Sequence, residues 1–174
     1  MLKPQATHMF KNLNGCSILA DVYLPEHAKP PVVLYLHGGA LILGTRKFLS
    51  PWQARLLLRA GFAVVSADYR LAPETKLPEI ATDVQDAIRW ARGAGALRYG
   101  FDPTHVAVFG GSAGGYLSLL SGTFEVKPDV IVSFYGYGDI LGEWLSRPSE
   151  YYCQQPFVSR TCAEAVVGRR ERST

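Results

Sequence analysis

Ser112 stands in Gly110-Gly111-Ser112-Ala113-Gly114, between the apolar, strand-like run "VAVF" and the helix-like run "YLSLL". At such a strand-to-helix turn the serine hydroxyl is exposed, and glycine neighbours remove side chains that the tight backbone would bring into collision. The helix that follows aims unpaired backbone N–H groups at the same spot, the Ala113 N–H among them. Those are the parts of a nucleophile for acyl transfer. The same letters also suit a glycine-rich turn capped by a serine, or a phosphate cradle, although the lysine of a P-loop is missing. A second turn, His37-Gly38-Gly39-Ala40, ends the run "VVLYL". Its glycines let backbone N–H groups face a developing negative charge, or they form a tight turn that merely contains a histidine.

The elements that must position these turns can be read from spacing. Asn14-Gly15 is a two-residue hairpin signal, followed by Ile18, Ala20, Val22 and Leu24 alternating with Ser17, Leu19, Asp21 and Tyr23. "VVLYL", "FAVVSA", "HVAVF" and "DVIVSFY" are continuous apolar runs, as strands buried on both faces must be. Between them, Ser50-Pro51 opens a helix carrying Trp52, Leu56, Leu57 and Ala60 that stops at Gly61. "PEIATDVQDAIRWAR" has Ile80, Val84, Ala87, Ile88 and Ala91 at helical spacing, and a third helix follows Ser112. Strands alternating with helices predict an α/β fold, a mostly parallel sheet with helices on both faces. The whole chain, residues 1–174, is expected to be one domain. Residues 141–174 are expected to be an irregular tail with one short helix, in which Thr161 and Glu164 sit at capping-box spacing and Gly168 is the stop. The ending "GRRERST" is expected to be solvated and frayed.

Composition excludes several classes. With 48% hydrophobic and 19% charged residues the chain is an ordinary globular sequence. The net charge of +3 is modest and, apart from Arg169, Arg170 and Arg172, scattered, so neither nucleic acid nor a membrane surface is the expected partner. Cys16, Cys153 and Cys162 are odd in number and widely spaced, which argues against a disulfide framework or a metal site. They are expected to be reduced thiols. No signal-peptide core or membrane span is present, so the cytoplasm is the expected location, and no cofactor is implied.

Three motifs together resemble one family. "LYLHGGA" is similar to the HGG oxyanion loop, "SADYRLAPE" to the DYRLAPE signature and "VFGGSAGG" to the GDSAGG elbow of the α/β-hydrolases of the hormone-sensitive-lipase-like esterase group, with glycine for aspartate at 111. The resemblance spans about residues 17 to 140. It implies an α/β-hydrolase fold and a serine carboxylic-ester hydrolase. Ser112 would be the nucleophile, Gly38, Gly39 and Ala113 the oxyanion donors, and His37 the support of the oxyanion loop. Asp68, Arg70 and Glu74 would brace the turn after the second parallel strand. The substrate would be a small ester or acyl compound.

The family places an acid and then a histidine after the serine, whereas His8, His27, His37 and His105 all precede Ser112. Asp139 and Glu143 follow the last strand, but an acid without a histidine to orient completes nothing. The last strands and C-terminal helix of the family are also missing. The sequence is therefore read as a C-terminally truncated esterase, weak or inactive, with "DVIVSFY" as an open sheet edge that invites self-association. The alternatives are a non-catalytic binding protein on the same scaffold and an amide or formamide hydrolase.

Overall fold

Six strands form one mixed sheet in the computed structural model, which describes residues 2–13, 15–156, 158–165 and 171–174. β1 (Ala6–Leu13) and β2 (Cys16–Tyr23) make the leading antiparallel hairpin. Leu13 pairs with Cys16, and Gly15 takes φ +86 in the two-residue turn, a value that glycine reaches without steric cost. Asn14 lies outside the described residues. β2 runs antiparallel to β4 (Ala63–Ala67), which is parallel to β3 (Val32–Leu36). β3 is parallel in turn to β5 (Val106–Gly111), and β5 to β6 (Val130–Phe134). The spatial order is β1-β2-β4-β3-β5-β6.

The sheet divides the apolar interior in two. On one face Leu34, Leu36, Val65 and Val108 meet Ile80, Val84 and Ile88 of α2 (Leu77–Arg92) and Leu117 of α4 (Ala113–Ser121). On the other, Val33, Tyr35, Val64 and Phe109 meet Ala54 of α1 (Pro51–Arg59). Because neighbouring residues of a strand point to opposite faces, the continuous apolar runs are what a sheet covered on both sides requires. A short α3 (Ala94–Tyr99) follows α2 and ends at Gly100 in the left-handed conformation.

Some local expectations are corrected. Asp21 and Tyr23, which alternate with the apolar set of β2, are buried too: Arg46 Nε donates to Asp21 at 2.9 Å, and Tyr23 belongs to the apolar cluster of Val33, Tyr35 and Val64. Ser50 occupies the N-cap of α1, but its side chain makes no capping bond. Trp52 and Leu56, placed by spacing towards a core, are 68% and 54% exposed. They line an apolar groove together with Val130, Val132 and Phe134.

Among the described residues after β6 there are three short helices where one was expected: α5 (Glu143–Ser146), α6 (Glu150–Cys153) and α7 (Arg160–Glu164). The cap of α7 is Ser159, whose hydroxyl accepts from the Cys162 N–H, and not Thr161, which lies inside the helix. The expected stop at Gly168 falls outside the described residues, as do Arg169 and Arg170. Glu171, Arg172 and Ser173 are docked where a frayed end was expected. Glu171 pairs with Arg70 at 3.1 Å, the Arg172 carbonyl accepts from the Leu71 N–H at 2.8 Å, and the Ser173 hydroxyl donates to the Ser17 carbonyl at 2.9 Å.

Candidate active site

Ser112 is the N-cap of α4 and holds φ +55, ψ −122, a region that costs a non-glycine residue about 1–3 kcal/mol. Two hydrogen bonds fix it there. Its N–H donates to the Phe134 carbonyl at 2.9 Å, and its carbonyl accepts from the Tyr116 N–H at 2.9 Å. The turn works because its glycines touch backbone. A Cβ on Gly110 would meet Gly114, and one on Gly114 would overlap the carbonyl oxygens of Leu36 and His37.

That contact brings the two predicted motifs together. Gly38 passes so close to the elbow that a Cβ on it would lie 3.1 Å from the Gly111 carbonyl oxygen and 3.5 Å from Ser112 Cβ. Gly39, at φ +125, turns the chain, and its carbonyl accepts from the Ile42 and Leu43 N–H groups at 3.0 Å each. Gly38, Gly39 and Ser112 line one cleft of about 560 Å³, together with Tyr35, Gln53, Phe109 and Tyr135. The buried Ala113 begins the helix, so its N–H is one of those without an intrahelical acceptor.

His37 is fully buried and stacks on Tyr69, with ring centroids 4.2 Å apart at 11°. Its Nδ1 lies 2.9 Å from the Gly38 carbonyl, which can only accept, so Nδ1 carries the proton. The Tyr69 hydroxyl donates to the His37 carbonyl at 2.7 Å. Burial, opposed only by the Gly38 bond, pushes the imidazole down to about 4, so the ring is neutral at pH 7. His37 thus holds the turn from behind and does not line the cleft. Its folded pKa lies below the unfolded value of about 6.5, so the stability it contributes is complete above pH 6.5 and falls away as the pH drops towards 4. Unfolding titrations should show a loss on the order of 3 kcal/mol across that window. A His37→Asn variant should flatten it, and an unchanged slope would mean that other groups dominate.

The DYRLAPE-like segment braces this loop. Asp68 accepts from the Arg46 backbone N–H at 2.7 Å and from Nη1 at 2.6 Å, tying the far end of the HGG loop to the end of β4. Arg70 pairs with Asp83 of α2 at 2.8 Å. Arg172 reaches Glu74 at 3.6 Å.

None of the four histidines lines the Ser112 cleft. His105 precedes β5, at the opposite end of the strand from Ser112, and its Nδ1 lies 2.7 Å from Asp102. The Thr104 hydroxyl and N–H hold the Asp102 carboxyl down to about 2. His8 stacks on Trp90 at 5.0 Å, and His27 packs beside Gly61. Asp139 accepts from the Leu141 N–H at 2.7 Å and Glu143 pairs with Arg147, so both serve local turns. Among the described residues no group of three His, Cys, Asp or Glu could hold a metal. No helix there is long and apolar enough to cross a membrane.

Tyr135 escaped the sequence reading. It holds φ +42, and a Cβ on Gly111 would lie 2.8 Å from its hydroxyl. The available signal was the run Tyr135-Gly136 after the last strand: Gly136 lets the chain cross directly over Gly115 of α4, and this fixes where Tyr135 lies.

The parallel sheet, the strand-to-helix elbow and the neighbouring HGG turn make this an α/β-hydrolase fold. Residues 20–130 match the BD-FAE family model, an α/β-hydrolase-like family, and the chain belongs to it. The chain is 35% identical over 158 residues to the non-reducing polyketide synthase atr1 of Stereocaulon alpinum, covering 81% of this chain and 6% of that protein. It is 38% identical over 142 residues to the non-reducing polyketide synthase pkbA of Emericella nidulans, covering 73% and 6%. The match therefore spans only a small part of each synthase. Among solved structures, a Staphylococcus aureus protein of unknown function superposes with TM-score 0.76 at 26% identity, covering 97% of this chain and 60% of that one. An α/β-hydrolase superfamily protein of Enterococcus faecalis gives 0.75 at 26%, covering 98% and 58%. A propionate-bound esterase from Thermogutta terrifontis gives 0.67 at 23%, covering 75% and 54%, a likeness of fold.

Proposed function

We propose that the chain carries a serine carboxylic-ester hydrolase site on this scaffold. Ser112 Oγ attacks the ester carbonyl as its proton passes to solvent water, the charge that develops on the carbonyl oxygen is met by the N–H groups of Gly38, Gly39 and Ala113, and the C–O bond to the alcohol breaks with the alkoxide taking a proton from water. Water then hydrolyses the acyl-serine. The observation that carries this reading is Ser112 held at φ +55 at the end of β5, on the same cleft as Gly38 and Gly39. His37 supports the oxyanion loop from its buried position. Among the described residues no histidine lines the cleft to act as a base for Ser112, and by analogy with triad enzymes the rate of this chain by itself should be only ~10³–10⁴-fold above water. The likeness to polyketide synthases adds polyketide acyl groups to the candidate substrates, beside small apolar esters. Amide and formamide hydrolysis use the same parts.

The test separates reaction at Ser112 from ligand binding. Incubation with a small fluorophosphonate, followed by mass spectrometry, should place the adduct on Ser112, and Ser112→Ala should abolish it. Hydrolysis of a short p-nitrophenyl ester should fall to the solvent rate in the same variant. A folded wild-type chain that takes no adduct but still binds acyl compounds saturably is a binding protein, the second reading, which the missing cleft histidine favours.

A further inference from the structure

Gly39, Ala40 and Leu41 follow one another at φ +125, +52 and +65. For Ala40 and Leu41, which carry a Cβ, this is sparsely populated backbone that persists only where the surroundings over-determine it. The carbonyls of the turn show what does so. That of Gly39 accepts from the Ile42 and Leu43 N–H groups at 3.0 Å each, and that of Leu41 accepts from the Ala72 N–H at 2.8 Å. The carbonyl of Ile42 accepts from Arg172 Nη2 at 3.2 Å, across 130 residues of chain.

Arg172 is anchored on its other sides. Its carbonyl accepts from the Leu71 N–H at 2.8 Å, and its Nε lies 3.6 Å from the Glu74 carboxylate. Glu171 before it pairs with Arg70 at 3.1 Å, and the buried Ser173 after it donates to the Ser17 carbonyl. A guanidinium is a rigid fork, so one that is fastened along one edge holds whatever its other nitrogen engages.

We propose that Arg172 is a positioning residue for the turn that carries Gly38 and Gly39: its bond to the Ile42 carbonyl steadies the strained backbone of Gly39–Leu41, and with it the N–H groups that face the reacting carbonyl. The proposal rests on reading those N–H groups as oxyanion donors. The path is short. Ile42 is tied to the Gly39 carbonyl, so movement released at Ile42 passes to the residue that bears one of the donors. Arg172 is not among the residues lining the cleft, so its loss should leave ligand binding there alone and act on the step in which charge develops.

The experiment compares the full chain with Arg172→Met, which keeps the aliphatic stem and the backbone bond to Leu71, and with Arg172→Lys, which keeps a donor. Amide hydrogen exchange reads the turn directly. In Arg172→Met the Ile42 and Leu43 amides should exchange about five-fold faster or more, while the Tyr116 amide of α4 stays as in wild type. Fluorophosphonate labelling of Ser112 reads the donors: the limiting rate at saturating reagent should fall about ten-fold, with the half-saturating concentration unchanged. Arg172→Lys should recover most of both losses. Unchanged exchange at Ile42 and Leu43 overturns the proposal, and so does faster exchange with an unchanged limiting rate. A rise in the half-saturating concentration at unchanged limiting rate also overturns it. If wild type takes no adduct, the hydrolase reading fails, and the exchange of Ile42 and Leu43 still decides whether Arg172 holds the turn.

Discussion

Gly114→Ala should cut the rate of fluorophosphonate adduct formation at Ser112 by a hundred-fold or more while leaving helix content in place. A Cβ at this position would lie 2.7 Å from the His37 carbonyl oxygen and closer still to that of Leu36. Both neighbours are backbone at the end of β3, so no rotamer change can relieve the overlap. α4 and β3 must separate, and the distance between them is what holds Ser112 beside Gly38. Displacement of a reacting group by an ångström is enough for a hundred-fold loss. Overpacking should also lower unfolding stability by about 1–3 kcal/mol or more. Gly122→Ala is the control: its Cβ would meet the flexible tip of Ile131 at 3.1 Å, at an ordinary helical φ of −65. It should leave labelling within two-fold. Equal labelling of wild type and Gly114→Ala would show that the elbow does not depend on this contact.

Asp83→Ala should be the most destabilising change away from the cleft. The Asp83 carboxylate is fully buried and accepts from the Arg70 backbone N–H at 3.1 Å, from Arg70 Nε at 2.8 Å and Nη2 at 3.0 Å, and from Lys11 Nζ at 2.7 Å. It joins α2, the turn after β4 and the first strand. Its removal leaves the Arg70 guanidinium buried with Glu171 as its remaining carboxylate partner, and breaking such a pair costs about 3–5 kcal/mol. Against a total of about 5–15 kcal/mol this is a large share. Urea titration should show it as a lowered midpoint at unchanged slope. Lys11→Met, which removes a cation with 13% side-chain exposure, should cost less. Loss below 1 kcal/mol in Asp83→Ala would mean that Glu171 and water replace the carboxylate.

How far the sequence speaks depends on how local each signal is. β3, β4 and β5 are almost continuously apolar because both faces are largely buried, Ser66 of β4 being the buried polar exception, and α2 repeats its apolar residues at the period of the helix. Both elements are therefore legible. The elbow and the HGG turn are legible as glycine patterns at strand ends, although the reason for Gly38 and Gly114 is long-range: each loop needs the other's backbone at close approach. What the sequence hides is long-range. Asp21 reads as the polar half of an alternating strand, and only the arrival of Arg46, twenty-five residues on, makes it interior. Trp52 and Leu56 read as core on helical spacing, since nothing within α1 tells that they line a groove at the surface. Tyr135 enters the cleft because two glycines twenty-one residues apart touch.

The docked terminus carries one consequence for the order of assembly. The Ser173 hydroxyl reaches back 156 residues to the Ser17 carbonyl, and Arg172 reaches back 130 to that of Ile42. In an unfolded chain, closing so long a loop is entropically unfavourable for so few contacts. Once β2, β4 and the HGG loop are in place, their carbonyls already stand in position and only the last segment has to be ordered. The terminus therefore joins a finished sheet, and amides that depend on it, such as that of Leu71, should gain protection last during refolding and lose it first when the native state opens.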